Sequence, residues 1–183
     1  MKSKLIKSAG LTLIELLVAI TIFSTVILIV TDITLDVIRA ESISSSYQVA
    51  LDSGRFILQR IAKAIRVSII KTPTSVTNSI ELAHPTRGTV EYFLSGDNRI
   101  IEHIEGDSTI GSALDSSAIT VEAFSFDIKG ADDGTDNRQP QVTLSLKIKP
   151  SQPKNKENLE SILLQTTLSQ RSLDNVGDHN ASP

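Results

Sequence analysis

"KSAGLTLIELLVAITIFSTVILIV", residues 7–30, decides the reading of this chain. From Leu11 to Val30 twenty residues run with a single charge, Glu15. At about 1.5 Å per residue a helix of that length spans about 30 Å, the thickness of a bilayer's hydrocarbon core. Lys2, Lys4 and Lys7 precede the run without any acidic residue, so the positive-inside rule places the N-terminus in the cytoplasm and exports the residues beyond Val30. The run is longer than the apolar core of a secretory signal. The flank Thr31-Asp32-Ile33-Thr34 also lacks a small-residue cleavage site. The small residues Ser8, Ala9 and Gly10 lie ahead of the run. Any cut is therefore expected to remove the basic leader and leave the helix in place.

The whole chain has 183 residues, enough for one domain and an appendage, with 18 basic against 21 acidic residues and no cysteine. Disulfides, thiolate metal sites and cysteine nucleophiles are thereby excluded. The charge balance gives no global reason to expect nucleic acid as a partner. Glu15 is the anomaly. A charge at the centre of a membrane helix costs about 2.5 to 3.5 kcal/mol on insertion scales and marks a functional residue by default. Near one end of the span it has a bland alternative, snorkelling to the interface.

"GLTLIEL", Gly10 to Leu16, behind a short basic leader, resembles the prepilin N-terminal signature of type IV pilins and type II secretion pseudopilins. The resemblance implies that a prepilin peptidase cuts between Gly10 and Leu11, that Leu11 is N-methylated, and that Glu15, then the fifth residue, governs assembly with Thr12 beside it. The family usually has phenylalanine after the cut, where this chain has Leu11. Cleavage would create an amine at the positive end of a helix dipole. Glu15 of a neighbouring subunit, displaced along the filament axis, would pair with that amine, and at low dielectric an unpaired charge is costly. The implied partners are other pilin or pseudopilin subunits, the prepilin peptidase and an inner-membrane assembly platform.

Between Leu11 and Thr72 there is no proline and one glycine, Gly54, which predicts one helix of about 60 residues. Pilins commonly carry a proline near the position of Asp32, which would kink the helix; it is missing here. The second half reads as amphipathic. Ile43, Tyr47, Ala50, Gly54, Ile57, Ile61, Ile65 and Ser68 follow three-four spacing, with Leu51, Leu58, Ala62 and Ile69 beside them. "KTP", Lys71 to Pro73, is the expected stop. From Ser75 onward alternating segments predict strands at 79–83, 89–94, 99–104, 119–128, 141–149 and 159–168. "SGDN", Ser95 to Asn98, reads as a hairpin turn. The apolar phase slips near Ala123 and Phe124, which predicts a bulge. Glu157 to Gln170 suits a helix or an edge strand, and a strand starting near Ser161 is favoured.

The expected organisation is α+β: a cleaved basic leader 1–10, a transmembrane and assembly helix 11–35, its amphipathic continuation 36–72, an antiparallel sheet domain 73–172, and a tail 173–183 that lacks apolar pattern and is expected to be disordered. "LDSGRFILQRIAKAIR", Leu51 to Arg66, and "LQTTLSQR", Leu164 to Arg171, resemble J-type minor pseudopilins and similar minor pilins. That resemblance implies a minor, tip or initiating role. The rival from another class is a single-pass protein with an uncleaved anchor and an exported binding or hydrolytic domain.

Signals for chemistry are sparse. His84, His103 and His179 lack metal-ligand spacing. Ser68 with Lys71 and Ser151 with Lys154 form S-x-x-K, without the companion motifs of serine acyl-transfer enzymes. No catalytic residue and no cofactor is expected. Asp132, Asp133, Asp136 and Asn137 are hard oxygen ligands of the kind calcium takes, but their spacing is not that of an EF-hand, and a solvated loop is the simpler reading. Arg55, Arg60, Lys63, Arg66 and Lys71 form a basic cluster without interleaved aromatics. That pattern argues against a nucleic-acid platform and for a solvated face or a contact to other subunits.

Overall fold

The structure, a computed structural model, describes residues 12–106, 111–131, 139–151 and 159–171. It divides into two compact units, Met1–Ser44 and Ser45–Pro183. One helix, α1 (Leu13–Val67), contributes its N-terminal part to the first unit and its C-terminal part to the second.

In the first unit α1 begins at a defined cap. The carbonyl of Thr12 accepts the first helical hydrogen bond from the Leu16 amide at 3.2 Å. Its Oγ1 accepts another from the Glu15 amide at 3.3 Å, so one more of the first-turn N–H groups has a partner. Further along, Thr21, Ser24, Thr25, Thr31 and Thr34 each donate their hydroxyl to the carbonyl four residues back, at 2.7–2.9 Å. Those are all the hydroxyl side chains between Leu13 and Thr34. Each would carry a desolvation penalty in an apolar medium if left unpaired.

In the second unit α1 buries Ala50, Gly54, Ile57, Ile61, Ala62, Ala64 and Ile65, the three-four stripe of the sequence with Ala64 added. Gly54 allows close approach: a Cβ there would lie 2.5 Å from Leu164 Cδ1 and 2.8 Å from Ile148 Cδ1. The helix ends at Val67 rather than continuing to Thr72. Ile69–Ile70 forms a short strand, β1, antiparallel to Leu82 and Ala83. Two β-branched residues favour the extended state, and as a strand Ile70 is buried while Ile69 faces solvent. Pro73 restricts only Thr72, so the end of the helix is set by this pairing.

The remaining strands are β2 (Val76–Thr77), β3 (Ser79–His84), β4 (Gly88–Leu94), β5 (Ile100–Ile104), β6 (Ser112–Ala113), β7 (Ile119–Lys129), β8 (Gln141–Pro150) and β9 (Ile162–Ser169). They form two antiparallel sheets where alternation alone suggests one. Their orders are β1-β3-β4-β5-β6 and β2-β7-β8-β9. All six strands expected from alternation are present, and β9 settles the ambiguous segment as a strand. The short β1, β2 and β6 have no counterpart in the sequence pattern; two residues cannot display a period. The turn at Ser95 to Asn98 closes with the Ser95 amide donating to the Arg99 carbonyl at 2.8 Å, and Asn98 has a φ of 56°. The register of β7 on β8 slips between Val121 and Ala123, so the extra residue of the expected bulge is Glu122.

Both sheets and the helix share one core. Ile57, Ile61 and Ile65 of α1 join Ile80, Leu82, Val90 and Tyr92 of the first sheet. Val121, Phe126, Leu144 and Leu146 represent the second sheet in the same cluster. Phe124 and Phe126 meet edge to face with centroids 4.8 Å apart, a favoured aromatic geometry.

Candidate functional site

The first candidate lies at the start of α1. Thr12 is the N-cap and Glu15 stands three residues on, the T-x-x-E order of a capping box. The first turn holds this one acidic residue, where the positive end of the helix dipole favours a negative charge. The sequence singles out both residues for assembly; the cap they share emerges only from the geometry. Gly10 and Leu11, the expected processing pair, lie outside the described residues.

From Leu16 to Val30 the helix carries no charge and is predominantly apolar on every side. Leu16, Leu17, Val18, Ile20, Ile22 and Phe23 are all exposed, as are Val26 to Val30. No residue of its most apolar window is buried within the unit, and the helix is long and apolar enough to cross a membrane. A helix that is hydrophobic all round requires burial in lipid or against other chains. With every hydroxyl bonded back to its own backbone, Glu15 is the one charge such an environment must accommodate before Asp32.

A second cluster lies in the second unit, and the sequence motifs do not point to it. Glu102 on β5 is 3% exposed and receives three donors. Arg60 Nη2 of α1 lies 2.7 Å from Oε2. Arg87 Nη2, from the β3–β4 turn, lies 2.8 Å from Oε1, and the Tyr92 hydroxyl of β4 donates to that same oxygen at 2.7 Å. Burial alone would push the Glu102 carboxyl up, but hydrogen bonds from Arg60, Tyr92 and Arg87 outweigh it and hold it below the ordinary carboxylate value. Burial and the bond to Glu102 push the Tyr92 hydroxyl well up, so it remains a donor. One signal was available. In "IIEHI" the glutamate shares the inward phase of buried Ile100, and it pairs directly across the ladder with Tyr92. The arrangement can pin α1 to the first sheet; it holds no nucleophile.

The other sequence candidates do not converge. Ser68, just past the end of α1, is buried, and its hydroxyl has no hydrogen-bond partner among the described residues. Lys71 Nζ turns instead to Thr89 Oγ1 and to Glu81, at 2.9 and 3.2 Å. His84 serves its own turn, its Nδ1 accepting the Thr86 amide at 3.3 Å. His103 stands opposite Glu91 on β4. His179, Lys154 and the calcium candidates Asp132, Asp133, Asp136 and Asn137 lie outside the described residues. Among the described residues, no group of three His, Cys, Asp or Glu is placed to hold a metal. The basic cluster divides three ways: Arg60 binds Glu102, Lys71 binds Glu81, and Arg55, Lys63 and Arg66 line a groove with β9.

Residues 6–31 match the family model described as "Prokaryotic N-terminal methylation motif". No curated protein and no solved structure matches the chain. The motif covers Gly10, Leu11, Thr12 and Glu15 and runs into the exposed apolar turns of α1. The chain thus carries the type IV pilin signature at the head of an α+β fold, on a helix able to cross a membrane.

Proposed function

We propose that the protein is a prepilin-like structural subunit, cut after Gly10 by a prepilin peptidase and assembled as a minor, tip or initiating component. The filament is a type IV pilus or a type II secretion pseudopilus. The observation that carries this reading is the methylation motif over residues 6–31 on a helix whose apolar residues from Leu13 to Val30 are exposed within the unit. In the proposed order of events, the basic leader holds the N-terminus in the cytoplasm, and cleavage frees an amine on Leu11 that is then methylated. Glu15 of one subunit pairs with that amine on its neighbour, which makes a staggered bundle of helices more favourable than isolated ones. The second unit, on the periplasmic or extracellular side, supplies contacts to partner subunits. The minor, J-type role is supported by the likeness of Leu51 to Arg66 and Leu164 to Arg171 to segments of that group.

N-terminal sequencing of the membrane-extracted protein, before and after co-expression with a prepilin peptidase, tests the reading. A mature chain beginning at Leu11 is expected. A chain that still begins at Met1 returns the decision to an uncleaved single-pass anchor.

A further inference from the structure

A groove of about 850 Å³ lies between α1 and β9, within the second unit. The helix is tied to the residues that flank this strand on either side. Near the start, Tyr47 Oη accepts the Glu160 amide at 2.8 Å, and at the far end the Arg171 amide donates to the Arg66 carbonyl at 3.3 Å. Between these ties Leu58, Ala62 and Leu168 give the groove an apolar floor. Of β9, Thr166 and Leu168 on one face and Ser169 on the other line it, with Gln170 and Arg171 just past the strand's end, so the groove reaches the strand's edge and not merely one face. Among the described residues β9 has a strand partner on one side only, which leaves part of its backbone free to pair.

Two independent features point to what the groove accepts. The first is charge. Arg55, Lys63, Arg66 and Arg171 line it, and no acidic residue is among the described lining residues, although the chain as a whole has more acids than bases. Lys63, Arg66 and Arg171 form no ion pair among the described residues, and Arg55 has only Asp52 at 4.0 Å, both side chains being exposed. The second is an orphan. Gln170 is 1% exposed, and among the described residues neither its Nε2 nor its Oε1 has a hydrogen-bond partner. Its backbone is satisfied, the carbonyl by Gln139 Nε2 and the amide by the Pro140 carbonyl. A buried carboxamide left unpaired is costly and calls for an explanation. It offers donors and an acceptor in one plane, the complement of a peptide unit.

We propose that this groove binds an extended, acidic peptide segment of a partner protein, laid along the edge of β9. The carboxylates meet the guanidinium and ammonium groups of Arg55, Lys63, Arg66 and Arg171. The apolar floor takes alternate side chains, and the Gln170 carboxamide pairs with a peptide unit of the segment once binding draws it to the groove. The inference does not depend on processing after Gly10.

The test selects from a random peptide library on the full chain held in mild detergent, then measures the enriched peptides by fluorescence anisotropy. Peptides with Asp or Glu alternating with apolar residues are expected, with binding that weakens as salt rises. The double variant Lys63→Gln/Arg66→Gln is expected to lose about tenfold or more in affinity. Gln170→Leu should weaken binding while raising the melting temperature of the free chain, because it removes an unpaired buried amide. A selection that yields no binder, or neutral or basic peptides, overturns the proposal, as does full affinity in the double variant. Displacement by equimolar inorganic phosphate would make the groove a simple anion site. Binding that emerges only when residues 172–183 are deleted would make the chain's own end the occupant. Either result also overturns the proposal.

Discussion

The backbone amide of Glu15 donates to the side-chain oxygen of Thr12 at 3.3 Å, so the carboxylate proposed to act between subunits belongs to a residue already engaged in capping the start of its own helix. The local role concerns the amide and the cap; the proposed assembly role concerns the charge. Substitutions separate them. Thr12→Ala is expected to fray the first turn, at about 1 kcal/mol for a lost N-cap, read as faster amide exchange at Glu15 in micelles. Glu15→Gln keeps a residue suited to the third position of a capping box but removes the charge. Both Glu15→Ala and Glu15→Gln should be cleaved normally yet fail to enter filaments. Normal incorporation of Glu15→Gln would show that the charge is not what assembly uses.

Glu102 predicts an acid limb in stability. Its folded pKa is depressed, so the native state favours the ionised form. The stabilisation is complete above the unfolded carboxylate value and is lost as pH falls through the lower folded value. Thermal melts followed from neutral pH into the acid range should therefore lose stability steadily, and Glu102→Gln should show a shallower fall. An identical slope in the variant would assign the acid limb to other carboxylates.

Removing partners from the same cluster should have unequal costs. Glu102→Ala leaves Arg87, Arg60 and the Tyr92 hydroxyl without their common acceptor, and about 3 kcal/mol is expected. Arg60→Ala removes one donor that is itself 44% exposed while Arg87 and Tyr92 remain. Solvent screening reduces that cost to about 1 kcal/mol. Denaturant unfolding measures both, and equal losses would contradict a shared acceptor.

Gly111 predicts a strict backbone requirement. Its φ is +75°, and a Cβ there would lie 2.6 Å from the carbonyl oxygen of Glu102. Gly111→Ala is thus strained in conformation and in space, at about 1–3 kcal/mol. The lost stability should appear with loosening of β6 against β5, seen as exchange of the Leu114 amide, which donates to the Ile100 carbonyl at 2.9 Å.

Tyr47 ties α1 to the chain entering β9, accepting from the Glu160 amide and donating to the Glu160 carbonyl at 3.2 Å. Tyr47→Phe should cost about 1 kcal/mol and speed exchange at Glu160. Unchanged exchange there would mean that the packing of the ring, and not its hydroxyl, holds this junction.

The features legible in the sequence are those whose cause is local or periodic. Twenty nearly uncharged residues with Glu15 near their start define the motif and the helix, because length and polarity against a bilayer need no partner to be read. The stripe from Ala50 to Ile65 and the alternation in Val142 to Ile148 follow from the geometry of a helix and a strand. The bulge at Glu122 shows itself as a broken phase. What only the tertiary structure decided concerns groups that meet across long stretches of chain. The stop at Val67 depends on Ile69 and Ile70 finding Leu82 and Ala83. The division into two sheets depends on which strands pair. The phase of "IIEHI" turns Glu102 inward, but its partners Arg60, 42 residues away, Arg87 and Tyr92 are set only by the fold. Arg55, Lys63, Arg66 and Arg171 become one basic wall only when β9 lies beside α1. Pairing and burial are properties of pairs of residues distant in sequence, and no single segment carries them.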